Sequence, residues 1–246
     1  MMLPGIDTGL LFSGPPLISA DALRSVSVIS GDVVGNASTP NAITIPVTVQ
    51  AGDVLHLFTW ANGSSPVVST PPGWTAIADL YNNLSSWLSR PQHCYKIATA
   101  GDAGAAVGSS GSGWSTCVRM LTVIRGNIPI TGVTLVDVEK DGWTSSSAGS
   151  PSQLTVTPGG PVPVLVMASY TAVGVINPRY FRTGGVDVKD GEYSWSGTVF
   201  GGTHQHYVAY KAFNDGGAAL ADCLIDMDDE GTNMFLFGFS MRFTAS

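Results

Sequence analysis

Pro71-Pro72-Gly73-Trp74-Thr75 opens the stretch that decides the fold, and Ile124-Arg125-Gly126 closes it. Proline fixes φ and glycine accepts φ > 0, so Pro71-Pro72-Gly73 reads as a turn. Trp74 carries a large apolar surface that has to be buried or paired. Gly101-Asp102-Ala103-Gly104 supplies a second turn, after Tyr95-Lys96-Ile97-Ala98-Thr99-Ala100. From Trp114 a strand alternates into Val118, Met120, Thr122 and Ile124. The stretch consists of turns and sheet anchors and holds no catalytic constellation.

Outward from it, the composition follows the same grammar. The chain has 246 residues, enough to bury a core as one large β domain or two small ones. Only 12% of residues are charged, about half the usual share. Gly, Ser, Thr and β-branched residues take their place, which favours strands and turns over helices. No long window carries the i, i+3, i+4, i+7 pattern with helix formers. Acidic residues number 18 against 11 basic, so a basic footprint for nucleic acid or anionic lipid is missing. No window approaches the ~20 apolar residues of a membrane span. The first residues lack a basic n-region, and Leu10-Leu11-Phe12 is short before Gly14-Pro15-Pro16, so no signal peptide is expected. Cys94, Cys117 and Cys223 are widely spaced. They read as reduced, buried small hydrophobes, consistent with folding in a reducing cytosol.

Strand signals recur along the chain. Residues 25–30 predict a first strand. Ile43, Ile45, Val47 and Val49 alternate, with Pro46 marking an edge or bulge. Residues 54–61 and 162–170 are apolar on both faces, as in central sandwich strands. His56 lies in the first of these and reads as a core residue. Residues 133–140 alternate, and Asp141-Gly142 predicts a hairpin turn that puts Trp143 at its tip, opposite Lys140. Residues 144–153 are Ser-rich and form the best internal linker. A turn at Asp190-Gly191 would set Lys189 opposite Glu192, Val188 opposite Tyr193 and Val186 opposite Trp195. Tyr193 and Trp195 are then core residues rather than a sugar-stacking platform. Phe235, Phe237, Phe239, Met241 and Phe243 form a period-two stripe, which places the last strand deep in a sheet. Tyr95-Lys96 with Gly101-Asp102-Ala103-Gly104 is echoed by Tyr210-Lys211 with Asn214-Asp215-Gly216-Gly217. The echo fits two similar half-sandwiches, or two β domains joined at 144–153.

The expected fold is therefore an all-β, antiparallel β-sandwich of two packed sheets over residues 25–246, behind an extended N-terminal arm of residues 1–24. Proline at 4, 15 and 16 and glycine at 5, 9 and 14 keep the arm from regular structure. Leu3, Ile6, Leu10, Leu11, Phe12, Leu17 and Ile18 are too apolar for a free tail. An arm docked on a partner is the reading preferred; packing on its own domain is the competitor.

Signals for chemistry are sparse. His204-Gln205-His206 puts two imidazoles on one side of a strand, which some metal sites use, but a third ligand would have to come from His93 or Asp222. Asp226-Met227-Asp228-Asp229-Glu230-Gly231-Thr232-Asn233 partly mimics a calcium loop, yet Phe237 stands where the bidentate Glu belongs. An acidic solvated turn explains it as well. The Gly-x-Ser-x-Gly nucleophile pattern is missing. No catalytic residue, metal or cofactor is expected. Trp143 is the candidate glycan contact, because an aromatic at a hairpin tip is hard to bury.

Pro71-Pro72-Gly73-Trp74-Thr75, Tyr95 to Gly104, Trp114-Ser115 and Ile124-Arg125-Gly126, with Gln50-Ala51-Gly52-Asp53-Val54-Leu55 before them, resemble a family of bacteriophage and prophage virion proteins. The match covers residues 43–126 well and the second half loosely. Cys94 stands where the family often has Tyr, and the arm has no evident counterpart. The resemblance implies a jelly-roll-like sandwich acting as a virion part: a tail component, a spike or a capsid decoration. It implies partners among other virion proteins and copies of itself, and folding in the host cytoplasm. It supplies no catalytic residues. A carbohydrate-binding module or host-surface adhesin is the alternative, and a polysaccharide hydrolase a third class.

Overall fold

Alternating and two-sided apolar runs become strands throughout the computed structural model. It describes residues 22–35, 42–79, 82–84, 87–108, 111–143, 152–173, 176–183, 185–199, 202–214, 222–229 and 232–245. The first half holds β1 Val26–Gly35, β2 Ile43–Thr44, β3 Val54–Gly63, β4 Val67–Val68, β5 Thr75–Asp79, β6 Asn82–Leu84, β7 Trp87–Ile97, β8 Ala106–Val107, β9 Gly111–Ser112 and β10 Thr116–Gly126. The second holds β11 Gly132–Trp143, β12 Ser152–Val156, β13 Val164–Val173, β14 Ile176–Thr183, β15 Val186–Asp187, β16 Gly191–Val199, β17 Gly202–Phe213, β18 Cys223–Asp229 and β19 Thr232–Thr244. No helix occurs among the described residues.

The main sheets are antiparallel and stack in three layers. A front sheet runs β1-β10-β3-β7-β5, with β6 also on β7; a middle sheet runs β11-β19-β13-β17-β16; a back sheet runs β12-β18-β14-β15. Phe58, Trp60 and Met120 of the front sheet meet Met167, Phe237, Phe239 and Met241 of the middle sheet. On its other side the middle sheet packs Val166, Ala168, Tyr170 and Leu236 against Val156, Phe181 and Ile225 of the back sheet. The outer face of the front sheet, with Leu55, Leu57, Leu121 and Val123, is covered by Ile43, Ile45, Val49 and Val107. The all-β sandwich is thus present, with a third layer beyond the two sheets expected. Being covered on both faces is why β3 and β13 are apolar on both faces.

The two halves repeat one plan. In each large sheet the order is first strand, last strand, central strand, Tyr-Lys strand, edge strand. His56 pairs with Tyr95 and Thr122 in the front sheet, as Met167 pairs with Tyr210 and Phe239 in the middle one. Each first strand bulges at the matching place, between Val28 and Ser30 and between Leu135 and Asp137. The bulged residues, Ile29 at 39% and Val136 at 38%, are both exposed. Arg125 and Arg242 also match: Arg125 donates to the Thr48 carbonyl at 2.8 Å and Arg242 to the Gly160 carbonyl at 3.0 Å, each in the loop before its central strand. Tyr95-Lys96 and Tyr210-Lys211, one part of the sequence echo, take matching places in this repeat; residues 215–217 lie outside the described residues. The passage from front to middle sheet falls at residues 127–131, whereas 144–151 lies outside the described residues, between β11 of the middle sheet and β12 of the back sheet.

Four local expectations need correction. Residues 43–49 are no continuous strand: past Thr44, Val49 N closes a turn on the Pro46 carbonyl at 3.1 Å, and Val47 is 80% exposed. Asp141-Gly142 makes no hairpin. β19 runs on beside it, so Asp141, Gly142 and Trp143 continue the ladder opposite Leu236, Phe235 and Met234. Trp143 therefore sits at no hairpin tip and not opposite Lys140. Asp190-Gly191 makes no two-residue hairpin either. Val186 pairs with Thr183 in the back sheet and Gly191 with Tyr210 in the middle sheet, so the segment crosses between layers. The Asp190 carboxylate holds that crossing, accepting from Lys211 Nζ at 2.7 Å and Ala212 N at 2.8 Å. Finally, Asp226–Asp229 is not a turn but part of β18, with Asp226 flanked by Gln153 and Tyr180.

Candidate functional site

Two constellations stand out, and the first is built around Pro71-Pro72-Gly73-Trp74-Thr75. Trp74 N donates to the Pro71 carbonyl at 3.1 Å, and Gly73 takes a φ of 78°, which the turn requires. Trp74 then lies against the outer core of the front sheet. Asp102 accepts from Thr99 N at 2.7 Å and Thr99 Oγ1 at 2.8 Å and pairs with Lys96. Burial works to raise the Asp102 carboxyl, but the hydrogen bonds and the Lys96 charge outweigh it and hold it below the usual carboxylate range. Arg125 grips Asp53 through Nε at 2.7 Å and Nη2 at 2.6 Å. Pro72, Trp74, Lys96 and Asp102 share a shallow cleft of about 200 Å³. Every one of these contacts fastens a turn to a strand end.

The second constellation is only half legible in the sequence. All four histidines of the chain are buried, His56, His93, His204 and His206, and all lie in the seam between front and middle sheets. β3 turns His56, Phe58 and Trp60 to one face, and β7 brings His93 beside Phe58. From the middle sheet β17 supplies His204 and His206, and β13 supplies Ser169 and Thr171. His93 lies 2.9 Å from His56 through Nδ1 and Nε2, and its own Nε2 lies 2.9 Å from Ser169 Oγ. His206 Nδ1 lies 3.1 Å from Thr171 Oγ1. His93 stacks on Phe237, and His206 packs on Trp60 with ring centroids 4.3 Å apart. His56 Nδ1, His206 Nε2, Trp60 Nε1 and Thr122 Oγ1 have no hydrogen-bond partner among the described residues. Desolvation lowers His56 to about 3 and holds His93 and His206 well below the usual imidazole range; His56 also repels a charge on His93, and His204 one on His206.

A Ser-His-His chain has the parts of an activated nucleophile, but Ser169 and both imidazoles are closed off beneath Phe237 and Phe239, where a substrate cannot reach them. As a metal site the cluster also fails: among the described residues no group of three His, Cys, Asp or Glu side chains converges. The pair His204 and His206 shares one face as expected, but that face meets Trp60 and Trp195. Asp222 is exposed and lies next to β18 of the back sheet. Strand parity could have shown that His56, Phe58 and Trp60 point the same way. It could not have shown that His93 and Ser169, 76 positions apart, meet there. Tyr193 and Trp195 pack on this core. Cys94, Cys117 and Cys223 are free and buried, and burial pushes their thiols up, to about 12, 11 and 11.

Leu3, Ile6, Leu10, Leu11, Phe12, Leu17 and Ile18 lie outside the described residues. The root of the arm is described. Asn127 Oδ1 accepts from Arg24 N at 2.9 Å and Ser25 N at 3.1 Å, and its Nδ2 donates to the Ala22 carbonyl at 3.0 Å. Leu23 packs on the seam core. So residues 22–24 lie on their own domain. No helix of the described residues is long and apolar enough to cross a membrane. No family model, curated protein or solved structure matches the chain.

Proposed function

We propose that this protein is a non-enzymatic structural protein of a bacteriophage virion, a tail component, spike or capsid decoration, used in repeated copies and assembled through its N-terminal arm. One observation carries the reading: the residues that resemble the virion family, from Pro71 to Gly126, are spent on fastening turns to strands around a doubly covered sheet. The imidazoles and thiols, the groups best suited to chemistry, are enclosed. This is an economy suited to a rigid building block. Its partners are other virion proteins and copies of itself, and residues 1–21 are the segment that reaches them. Labelled antibody against the protein, applied to intact particles, is expected to decorate them and to separate capsid, neck and tail. Particles that carry no label would overturn the proposal. The adhesin alternative has lost its local argument, because Trp143 continues a strand. A glycan array still separates the two readings: specific binding lost in Trp143→Ala moves the protein to the adhesins. Sugars released from surface polysaccharide by the purified protein would instead make it a hydrolase.

A further inference from the structure

We propose that the seam between the front and middle sheets is an acid-operated latch, closed at neutral pH and opened when its imidazoles take up protons. Four histidines in a chain of 246 residues would scatter over surface and core by chance; here all four are buried in one of the three cores. The middle–back core and the outer core of the front sheet contain none. Nor does the repeat account for them. By register His56 matches Met167 and His93 matches Val208, while His206 falls at the position of Pro91. Each histidine therefore stands where the other half has a different residue.

The surroundings favour the neutral rings. β3 presents His56, β7 His93 and Tyr95, β17 His204, His206 and Tyr210, and β16 Tyr193. β10 adds Thr122 with apolar side chains, β13 adds Ser169 and Thr171, and β19 adds Phe237 and Phe239. Lys96 and Lys211 sit one residue from Tyr95 and Tyr210, on the opposite strand face. Among the described residues no carboxylate acts on His56, His93 or His206; the charges that act there on His93 and His206 are the imidazoles of His56 and His204. A proton placed on any of them is unpaired, and a second one next to it is repelled.

The sign follows from this. An imidazole in the opened state titrates near its ordinary value of 6.5, whereas in the closed seam it stays neutral far below that. The contribution to closure is fully present above pH 6.5 and is lost as pH falls below it. Between pH 7.5 and 5.5 each such histidine multiplies the opening constant by about tenfold, so His56, His93 and His206 together give about a thousandfold. This window lies above the ordinary titration of exposed Asp and Glu, so carboxylates add little to it. Opening exposes Phe58, Trp60, Phe237 and Phe239, while the middle and back sheets stay joined through a core without histidine.

The test is amide hydrogen exchange on the full chain at pH 7.5 and 5.5, corrected for intrinsic rates, together with urea unfolding at the same two values. The expected result is a loss of protection in β3 and β7 of at least about a hundredfold between the two values, with β3 and β7 less protected than β12 and β18 at pH 5.5. His56→Gln and His206→Gln should each take about tenfold out of the acid effect. Should those variants fail to fold, the histidine ring proton signals of the unsubstituted protein decide: they should not titrate while the native strand signals persist. Protection in β3 and β7 no lower than in β12 and β18 at pH 5.5, an unfolding constant that changes less than about tenfold, or rings that titrate near 6.5 inside the closed fold would each overturn the latch.

Discussion

Residues 26–126 and 132–244 build the same five-stranded path, down to a bulge at the same place in the first strand, yet they cover its outer face by different means. The front sheet is closed by a short loop and the two-residue strands β2 and β8. The middle sheet is closed by a whole further sheet. One register position shows why. Leu121 in the front sheet corresponds to Gly238 in the middle sheet, from their pairing with Leu57 and Ala168. A Cβ on Gly238 would come within 2.5 Å of Val156 and 2.7 Å of Ile225. Small residues at Gly238 and Ala168 let a second sheet approach, while Leu121 and Leu57 fill the same space with their own side chains. The backbone plan is common to both halves, and side-chain volume chooses what may lie on it.

The comparison can be broken most sharply by exchanging those residues. Gly238→Leu should cost about 3 kcal/mol, the upper end for an overpacked core, because the back sheet has no room to retreat without losing its core. A urea midpoint close to that of the unsubstituted protein would show that the layers are loosely packed. Leu121→Ala should cost about 2–3 kcal/mol, at the lower end for a buried leucine, since a loop cover can settle into the space better than a sheet. The two arginines come next. Arg125→Met leaves the buried Asp53 carboxylate with Gln50 N but without its charged partner and should cost about 2 kcal/mol, below the value for a fully buried pair because the guanidinium reaches water. Arg242→Met loses a single bond to a carbonyl and should cost about 0.5–1 kcal/mol. Equal losses in thermal unfolding would mean the two sites are held alike. The smallest effect on stability belongs to removal of residues 1–21. A chain beginning at Ala22 keeps Leu23 and the Asn127 bonds, so its stability should change by less than about 0.5 kcal/mol while it no longer joins particles. A chain beginning at Ser25 also loses the burial of Leu23 and should be less stable by about 1–2 kcal/mol. Full incorporation of the Ala22 form would remove the arm from the assembly mechanism.

The sequence made some of these features legible and hid others. Residues 54–61 and 162–170 were identifiable as central strands, because burial on both faces leaves an apolar run that no one-sided strand shows. The Phe237, Phe239, Met241 and Phe243 stripe located the last strand inside a sheet for a similar reason. Turns were less reliable. Asp-Gly favours a tight hairpin locally, but at 141–142 a long neighbouring strand offered more ladder bonds, and at 190–191 Lys211 and Ala212 captured the aspartate. The seam was legible one residue at a time: His56 reads as core from its neighbours, and His204 with His206 reads as one face. Their meeting across two sheets was not.

Sequence by itself therefore determined the strand class, the central strands, the fastened turns around Trp74 and Asp102, and the burial of the cysteines. These depend on local dihedral preferences and on period-two burial, which a short window carries. Only the tertiary structure decided that there are three layers rather than two, that the two halves share one register, and that the four histidines meet in one seam. Those outcomes depend on which faces find each other across the molecule, a choice made by side-chain volume and desolvation between residues far apart in the chain.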